Sequence, residues 1–476
     1  DLVVNHTSDE HPWFEEARKS RHNPYYNYYH WWPAEKGEPP LRLSYFDEEG
    51  NAWTYNKPTD SYYLHYFSRK QPDLNWENPE VRQEIFDMMR FWFDKGIDGF
   101  RMDSISLIAK DPSFPLIDSK KYPDIFSFYA KEPRLHLYLH EMNRQVLSKY
   151  DCMSVGEGSA VMVDDVAKFV DPAREELNML YHFDAARIRN TTLPDNPESG
   201  IDYSLIALKK MFTEWDKAVD KGWPSIYLGN HDQPRMVSRF GSDKDEFRAL
   251  SAKMLITFLL TMKGTPYWFA GDEIGMRNIR FDRIENYNDI DTINRYKKAK
   301  AEGKDPQAVL DEQKETGRDN ARTPFQWDRS PEAGFTAGTP WLKVNPDYTW
   351  INVTDEEKDP TSILNYFKKV VSFRKENPSL IYGSYHLLDA ENPQSYTFLR
   401  KTGADTYLIM LNFSPKAAIS TPGIDMSNAH VLLDNYGARS HMAPQKDITL
   451  RPFEAIVFQL NHPVYESFID SLDLLE

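Results

Sequence analysis

The amino-acid sequence predicts an α/β protein, a (β/α)8 barrel of the TIM type followed by a separate antiparallel β domain. The first observation is a series of short apolar runs separated by helical periodicity, which is typical of buried parallel strands and their crossover helices. The second is that six such units in 476 residues favour a barrel over an open sheet. The third is a change to alternating apolar and polar residues after about residue 377.

Six apolar runs are predicted to form the parallel strands of the barrel. They are Leu2–Asn5, Ile97–Asp103, Cys152–Glu157, Asn178–Phe183, Ser225–Asn230 and Thr265–Ala270. Helices are predicted at Val81–Lys95, Tyr203–Lys221 and Phe247–Met262, each of which ends at or close to a glycine, the usual stop signal. Because a closed barrel needs eight strands, we expect its first two strand–helix units to lie before Asp1.

The chain is predicted to contain three domains. The catalytic barrel comprises residues 1–5 and 76–376, beginning with its third strand. Residues 6–75 form an excursion domain after that strand, because seventy residues rich in aromatics, proline and glycine are too many for a plain loop. Residues 377–476 form an antiparallel β-sandwich, since their apolar residues alternate between turn residues.

The composition narrows the classes of partner. A net charge of −16 argues against nucleic acid and against an anionic membrane surface, and it suits a soluble protein with a neutral ligand. The single cysteine, Cys152, excludes an internal disulfide framework and a cysteine-rich metal site. No run approaches the ~18 apolar residues of a membrane helix. Aromatic residues are 14% of the chain, many of them Tyr and Trp with a polar edge, which favours a sugar-binding cleft.

Polar and ionisable residues stand at the ends of the predicted strands. Since the carboxyl ends of barrel strands converge on one mouth, we expect these side chains to share one site. A single acidic residue at such a position is more often a salt bridge or a helix cap, but six together favour an active site. Three carboxylates, two histidines and an arginine form a nucleophile and acid/base set that needs no metal: His6, Arg101, Asp103, Glu157, His231 and Asp232.

Several segments resemble, in order, the signature motifs of the α-amylase family of glycoside hydrolases. Four of them are Asp1–His6 (DLVVNH), Gly99–Asp103 (GFRMD), Val155–Glu157 (VGE) and Asn230–Asp232 (NHD). Gln71–Asn75 (QPDLN) resembles a fifth motif, which is typical of the oligo-1,6-glucosidase branch. Residues 318–324 (RDNARTP), followed by Gln326 and Trp327, point to the same branch, so the resemblance covers nearly the whole chain.

The resemblance implies a retaining, double-displacement mechanism. Asp103 is expected to attack the anomeric carbon, and Glu157 is expected to protonate the leaving oxygen and later to deprotonate water. The two carboxyl groups are then expected ~5–5.5 Å apart. The surroundings of Glu157 are expected to raise its pKa, while Arg101 keeps the nucleophile ionised.

The resemblance also assigns substrate contacts. Asp232 is expected to bind sugar hydroxyls and to help distort the ring, and His6 and His231 to hydrogen-bond the same glucose. Arg318 matches an arginine that holds the non-reducing end, which makes such enzymes exo-acting. Phe46 begins a loop, residues 46–53, that borders the leaving-group site and departs from the tighter loop usual in relatives.

The bond specificity is left open between several related activities. Ser104 follows the nucleophile where α-1,6 enzymes usually carry Val and α-1,4 enzymes Thr, and the residues after it, 105–110, favour the α-1,6 pattern. Small residues at 158–160 predict a roomier leaving-group pocket and a preference for disaccharides. The alternatives are an α-1,4-glucosidase, a sucrose isomerase, for which residues 279–285 show a faint match, an enzyme for a phosphorylated disaccharide, and a non-catalytic sugar-binding or partner subunit.

We expect no organic cofactor and no catalytic metal; the calcium loop that some members of the resembled family carry would lie before Asp1. The expected partner is a small oligosaccharide or disaccharide, with neither nucleic acid nor membrane. The single cysteine and the resemblance to bacterial enzymes favour a cytoplasmic location. The oligomeric state is not predicted.

Overall fold

The computed structural model describes residues 1–46, 50–122, 124–403, 405–426, 429–437 and 446–460, without the side chains of residues 189 and 190. The chain divides into two compact units. Unit 1 contains residues 1–183 and 218–224, and unit 2 contains residues 184–217 and those from 225 onward.

Unit 1 combines a parallel sheet, its helices and a small antiparallel sheet. Its strands are β1 Leu2–Val3, β2 Trp31–Pro33, β3 Trp53–Asn56, β4 Ser61–Leu64, β5 Gly99–Asp103, β6 Met153–Glu157 and β7 Met179–Tyr181. Its helices are α1 Pro12–Ala17, α2 Pro79–Asp94, α3 Phe126–Tyr129, α4 Arg134–Gln145 and α5 Val166–Val170.

The parallel sheet of unit 1 has the strand order β1-β5-β6-β7, which follows the order of the predicted strands. Its register places Val3 beside Asp103, and Glu157 beside Tyr181. At Gly99 a side chain is excluded, because a Cβ would lie 1.9 Å from the carbonyl oxygen of Met153. The polar strand ends of unit 1 therefore lie along one edge of a single sheet.

Helix α2 shows how local sequence positions the sheet. Asn78 caps it through a side-chain hydrogen bond to the backbone N–H of Glu80, and Pro79 occupies its first turn. The face that the helix buries carries residues at helical spacing: Val81, Ile85, Phe86, Met89 and Phe93. The observed bounds differ from the prediction by two residues at the start and one at the end, where Lys95 is the C-cap.

Residues 6–75 hold the antiparallel sheet β2-β4-β3 and few helical residues. Aromatic side chains from this segment pack with others from residues 107–129 in one apolar cluster, where the rings of Tyr66 and Tyr129 stack at 3.9 Å. His30 and Asp73 are also buried here, which is unusual for polar residues and requires partners.

Unit 2 contains the remaining helices, a short parallel pair and the C-terminal sheets. Its helices are α6 Asp184–Thr191, α7 Leu205–Ala218, α8 Met236–Phe240, α9 Arg248–Thr261, α10 Ile290–Ala301, α11 Pro306–Thr316, α12 Val353–Lys358, α13 Ile363–Glu376 and α14 Ser379–Tyr382. Its strands are β8 Ser225–Ile226, β9 Thr265–Pro266, β10 Ser384–Leu388, β11 Ser395–Thr402, β12 Asp405–Asn412, β13 Ala418–Ser420, β14 His430–Asp434, β15 Ile448–Leu450 and β16 Ala455–Leu460.

The parallel pair β8-β9 is much shorter than predicted. The predicted strands were six residues each, and the structure pairs only two residues of each: Ser225 with Thr265 and Ile226 with Pro266. Pro266 lacks an N–H, so it cannot donate to a ladder. The rest of both runs is irregular backbone that carries polar and aromatic side chains.

The C-terminal region is antiparallel, as predicted, and has two sheets. One has the order β10-β11-β12-β16-β14, and the other pairs β13 with β15. Ile448 and Leu450 of β15 pack in one apolar cluster with Leu408 and Phe458 of the larger sheet, so the two sheets share a core.

Candidate active site

Arg101 links the two carboxylates predicted to act in the reaction. Its Nη1 donates to Oδ1 of Asp103 at 2.5 Å, and its Nη2 donates to Oε2 of Glu157 at 2.9 Å. All three residues lie on β5 and β6, which are neighbours in the sheet of unit 1. The structure therefore brings the predicted nucleophile and the predicted acid/base to the same guanidinium.

Tyr181 is a further partner of Arg101 that sequence reasoning missed. Its hydroxyl accepts hydrogen bonds from Nε at 2.9 Å and from Nη2 at 2.6 Å of that arginine. Tyr181 stands at the end of β7, directly beside Glu157 in the register. The signal that could have found it is its place at the end of the predicted strand 178–183, which is the position shared by the other site residues.

Ser104 orients Glu157 through its backbone. Its N–H donates to Oε2 of Glu157 at 2.8 Å, on the oxygen that also accepts from Arg101. Ser104 has a left-handed backbone conformation with φ 44°, which is uncommon and costly for a residue other than glycine. The turn after β5 therefore holds an unfavourable conformation that points one N–H at the carboxylate of Glu157, the predicted acid/base.

The electrostatics of this cluster favour a permanently charged arginine. Burial by itself lowers the pKa of Arg101. The electrostatic effects of Glu157, Tyr181 and Asp103, together with the hydrogen bond from Arg101 to Asp103, raise that pKa above the ordinary value. The predicted elevated pKa of Glu157 and the predicted spacing of the two carboxyl groups stay predictions.

His6 is buried three residues after β1 and is held by two amides. The side-chain nitrogen of Asn5 lies 3.3 Å from Nδ1 of His6, and that of Gln71 lies 3.1 Å from Nε2. Burial lowers the pKa of His6 to about 4, Asp103 opposes this shift, and Lys110 adds to it. The ring is therefore neutral at physiological pH, which suits a hydrogen-bonding role.

A buried ion pair next to His6 was not predicted. Nζ of Lys110 lies 3.2 Å from Oδ2 of Asp73 and donates to Oδ1 of Asn5 at 2.6 Å, and both charged side chains are almost inaccessible to solvent. Burial raises the pKa of Asp73 to about 6, although Lys110 lowers it. Since Asn5 also contacts His6, this pair supports the position of the histidine.

Phe46 is half-buried and packs on Phe67 with ring centroids 5.7 Å apart. Phe67 in turn lies 5.2 Å from the ring of His6. The structure thus connects Phe46 to His6 through one aromatic ring. The following residues of the predicted leaving-group loop, 47–49, lie outside the described residues.

In unit 2, Asp232 lies in a cluster of positive charge. Its Oδ1 accepts from Nη2 of Arg322 at 2.6 Å and from Nη1 of Arg318 at 3.4 Å, and its Oδ2 lies 3.2 Å from Nε2 of His231. Burial acts to raise the pKa of Asp232, but His231 and the two arginines hold it well below the ordinary value. Asp232 is therefore ionised throughout the neutral range.

Asp289 is a second buried carboxylate of this cluster, and the sequence did not indicate it. It forms an ion pair with Nη2 of Arg318 and lies 3.6 Å from Nη1 of Arg322. Both arginines are thereby held between Asp289 and Asp232. The structure thus brings together the three predicted residues of unit 2, namely His231, Asp232 and Arg318.

Within the described residues, no group of three or more His, Cys, Asp or Glu side chains is placed to hold a metal ion. Among the helices of that same part of the chain, none is both long and apolar enough to cross a lipid bilayer.

Comparison with known proteins identifies the family. The family model "Alpha amylase, catalytic domain" matches residues 1–383. The chain belongs to the α-amylase family. The predicted fold is thereby supported at the level of a family (β/α)8 barrel with a C-terminal antiparallel β sheet.

Similar proteins include several bacterial enzymes. The oligo-1,6-glucosidase of Parageobacillus thermoglucosidasius is 48% identical over 474 residues, which cover 97% of this chain and 83% of that protein. The oligo-1,6-glucosidase of Bacillus cereus is 45% identical, with 97% and 82% covered. The solved isomaltulose synthase SmuA from Protaminobacter rubrum has a TM-score of 0.90 at 38% identity, with 97% and 82% covered. The prediction of an α-amylase family glycoside hydrolase, similar to oligo-1,6-glucosidases, is confirmed.

Proposed function

We propose that the chain is an exo-acting, retaining α-glucosidase that hydrolyses short α-glucosides from the non-reducing end, with α-1,6 linkages preferred. The observation that carries this proposal is the Arg101 guanidinium, which contacts both Asp103 and Glu157. Double displacement at a glycosidic bond requires a nucleophilic carboxylate and an acid/base carboxyl group close to each other, and the shared guanidinium brings two carboxyl groups together. The similarity to oligo-1,6-glucosidases supports the choice of linkage.

In the first step, Asp103 attacks the anomeric carbon of the terminal glucose and forms a β-glucosyl ester. The bond from that carbon to the glycosidic oxygen breaks, and Glu157 gives its proton to this oxygen as the leaving sugar departs. In the second step, Glu157 takes a proton from water, whose oxygen attacks the same carbon and releases Asp103. Two inversions yield glucose in the α configuration.

The remaining site residues bind the glucose that is transferred. Asp232, which is ionised, accepts hydrogen bonds from sugar hydroxyls, and Arg318 holds the non-reducing end. His6, which is neutral, and His231 hydrogen-bond glucose hydroxyls, while Phe46 borders the leaving sugar. The mechanism uses neither an organic cofactor nor a catalytic metal ion.

Three finer points belong to the same proposal. Residues 6–75 act as an excursion domain whose loop at Phe46 shapes the leaving-group site, and the small residues at 158–160 leave room there, which favours disaccharides. The single cysteine in the sequence supports a reducing compartment such as the cytoplasm.

Proton NMR of early reaction products tests the proposal. The protein and the variant Asp103→Asn are mixed separately with isomaltose, maltose and sucrose. We expect α-glucose to appear first from isomaltose, more slowly from maltose, and at no detectable rate with the variant. Asp98→Asn, an exposed carboxylate just before β5, serves as the matched control and keeps full activity.

The other outcomes discriminate between the alternatives. Early β-glucose contradicts the double displacement. A faster reaction with maltose favours an α-1,4-glucosidase, and a rearranged disaccharide from sucrose favours an isomerase. If the folded protein releases glucose from none of the three sugars, the proposed function is wrong.

A further inference from the structure

A buried carboxylate contacts both ends of the segment that carries His231 and Asp232. This segment, residues 229–236, lies between β8, which ends at Ile226, and α8, which begins at Met236, and it has no regular secondary structure before Met236. At its first residue, a Cβ built on Gly229 would lie 2.6 Å from Oδ2 of Asp272, so this carboxylate packs directly against the backbone. At its last residue, the backbone N–H of Met236 faces Asp272 and acts to lower the pKa of that carboxyl group.

Arg235, which is itself a residue of this segment, forms an ion pair with the same carboxylate. Its Nη1 lies 3.7 Å from Oδ1 of Asp272 and donates to the carbonyl oxygen of Ala270 at 2.7 Å. Its guanidinium lies over the ring of Phe269 at 5.1 Å, and its backbone N–H donates to Oδ1 of Asn278 at 2.9 Å. The arginine is 2% exposed and the aspartate 4%, so water does not screen the pair.

We propose that Asp272 and Arg235 are positioning residues for the glycosidase reaction: by holding both ends of residues 229–236, they place the carboxylate of Asp232 for contact with the sugar. This inference rests on the proposed function, because Asp232 is a substrate-binding residue only there. Neither positioning residue touches substrate; each acts through the backbone of the segment.

The physical argument is that irregular backbone takes its geometry from its contacts. Asp232 is aimed by side chains that come from elsewhere in unit 2, Arg318 and Arg322, whereas its own backbone position depends on the two ends of the segment. An error of about 1 Å in a group that acts in the transition state costs about 10²-fold in rate. Burial raises the pKa of Asp272 to about 7, although Arg235 lowers it, so the carboxylate is ionised at pH 8. Loss of its charge at that pH leaves Arg235 buried without its carboxylate, which the segment relieves by moving.

The variant Asp272→Asn, which keeps the shape and removes the charge, tests this inference in the full chain with isomaltose as substrate. We expect kcat to fall about 10- to 100-fold with a change in KM below threefold. The matched control is Glu356→Gln, which breaks another buried pair of unit 2, in which Nη2 of Arg248 lies 3.6 Å from Oε1 of Glu356. This control is expected to lower the thermal midpoint to a similar extent and to keep kcat within threefold.

Two further variants separate positioning from general destabilisation. Asp272→Glu keeps the charge, and its kcat is expected to lie within about fivefold of the wild type. If the Asn variant does not fold, the kcat of Asp272→Glu remains measurable and tests the same expectation. In the double variant Asp232→Asn/Asp272→Asn, kcat is expected to equal that of Asp232→Asn alone, because Asp272 acts only through Asp232.

The inference is overturned if folded Asp272→Asn keeps kcat within threefold, if Glu356→Gln lowers kcat as much, or if Asp272→Glu recovers nothing. A double variant whose losses multiply also overturns it. Each of these results requires an active wild-type enzyme. Failure of the proposed function is different, since the wild type itself then releases no glucose.

Discussion

Replacing Arg101 by lysine is expected to lower kcat/KM for isomaltose by about 10²- to 10³-fold. The guanidinium serves three partners at once, with bonds of 2.5 Å to Asp103, 2.9 Å to Glu157, and 2.6 and 2.9 Å to the hydroxyl of Tyr181. An ammonium group on a flexible stem can keep the bond to Asp103, but it has no planar fork with which to reach Glu157 and Tyr181 as well.

The magnitude follows from the bonds that lysine loses. A hydrogen bond to a charged group contributes about 1.5–3 kcal/mol, and a neutral acceptor contributes about 1 kcal/mol. Loss of the contacts to Glu157 and to the Tyr181 hydroxyl, counted as one neutral acceptor, therefore sums to about 2.5–4 kcal/mol. At about 1.36 kcal/mol for each tenfold change in rate, this corresponds to about 10²- to 10³-fold.

Steady-state kinetics on isomaltose, with kcat and KM determined separately, measures the effect. Circular dichroism and thermal unfolding establish that the variant is folded. The control is Arg90→Lys, at a more exposed arginine of α2 that bonds Asp87 at 2.6 Å, and it is expected to change kcat/KM less than twofold. A folded Arg101→Lys variant that keeps kcat/KM within fivefold would show that the observed bridge has no part in catalysis.

Two predictions concern stability in unit 1. Lys110→Met is expected to lower the free energy of unfolding by about 3 kcal/mol at pH 8, because it leaves the buried carboxylate of Asp73 without its partner; urea denaturation measures this. The second concerns pH. Since burial lowers the pKa of His6 from 6.5 to about 4, the stability that neutral His6 contributes is complete above pH 6.5 and is lost as pH falls from 6.5 to 4. The free-energy difference between the wild type and His6→Gln is expected to fall by about 3 kcal/mol over that range, measured by urea denaturation at each pH.

Each stability prediction has a control. For Lys110, the double variant with Asp73→Asn removes both charges and is expected to be more stable than Lys110→Met alone; equal stability of the two would contradict the account of a stranded charge. For His6, the comparison with His6→Gln is needed because Asp73, with a pKa raised to about 6, titrates over the same range with the opposite sign. If the difference in free energy of unfolding between the wild type and His6→Gln does not depend on pH, the lowered pKa of His6 is contradicted.

Much of the fold could be predicted because its signals are local. Asn78 and Pro79 mark the start of α2, and apolar residues at helical spacing mark its buried face. The same holds for the order of the parallel strands in unit 1 and for the antiparallel C-terminal sheets. A helix cap, a glycine stop and the helical spacing of apolar residues each depend on one short stretch of chain, so no distant contact is needed to interpret them.

The predictions were weaker where distant packing overrides local pattern. Apolar runs predicted six-residue strands at β8 and β9, but in the structure only two residues of each strand pair with the other strand. A buried apolar run is also compatible with irregular backbone, so the run alone does not determine the strand length. Arg400 in β11 is another case. It is fully buried and donates to the carbonyl oxygens of Thr261, Leu380 and Gly383, which no pattern around residue 400 indicates.

For the candidate site, the sequence by itself determined which residues stand at the strand ends, because strand and motif occupy the same few positions. It could assign Asp103, Glu157 and Asp232 to chemical roles by resemblance. Only the tertiary structure decided what holds them. Arg101 meets Glu157 and Tyr181, which lie 56 and 80 residues further along the chain, and Asp232 meets Arg322 90 residues further. Contacts between side chains so far apart depend on strand register and on burial, and the desolvation that shifts the pKa values of His6 and Asp73 exists only once the chain has folded around them.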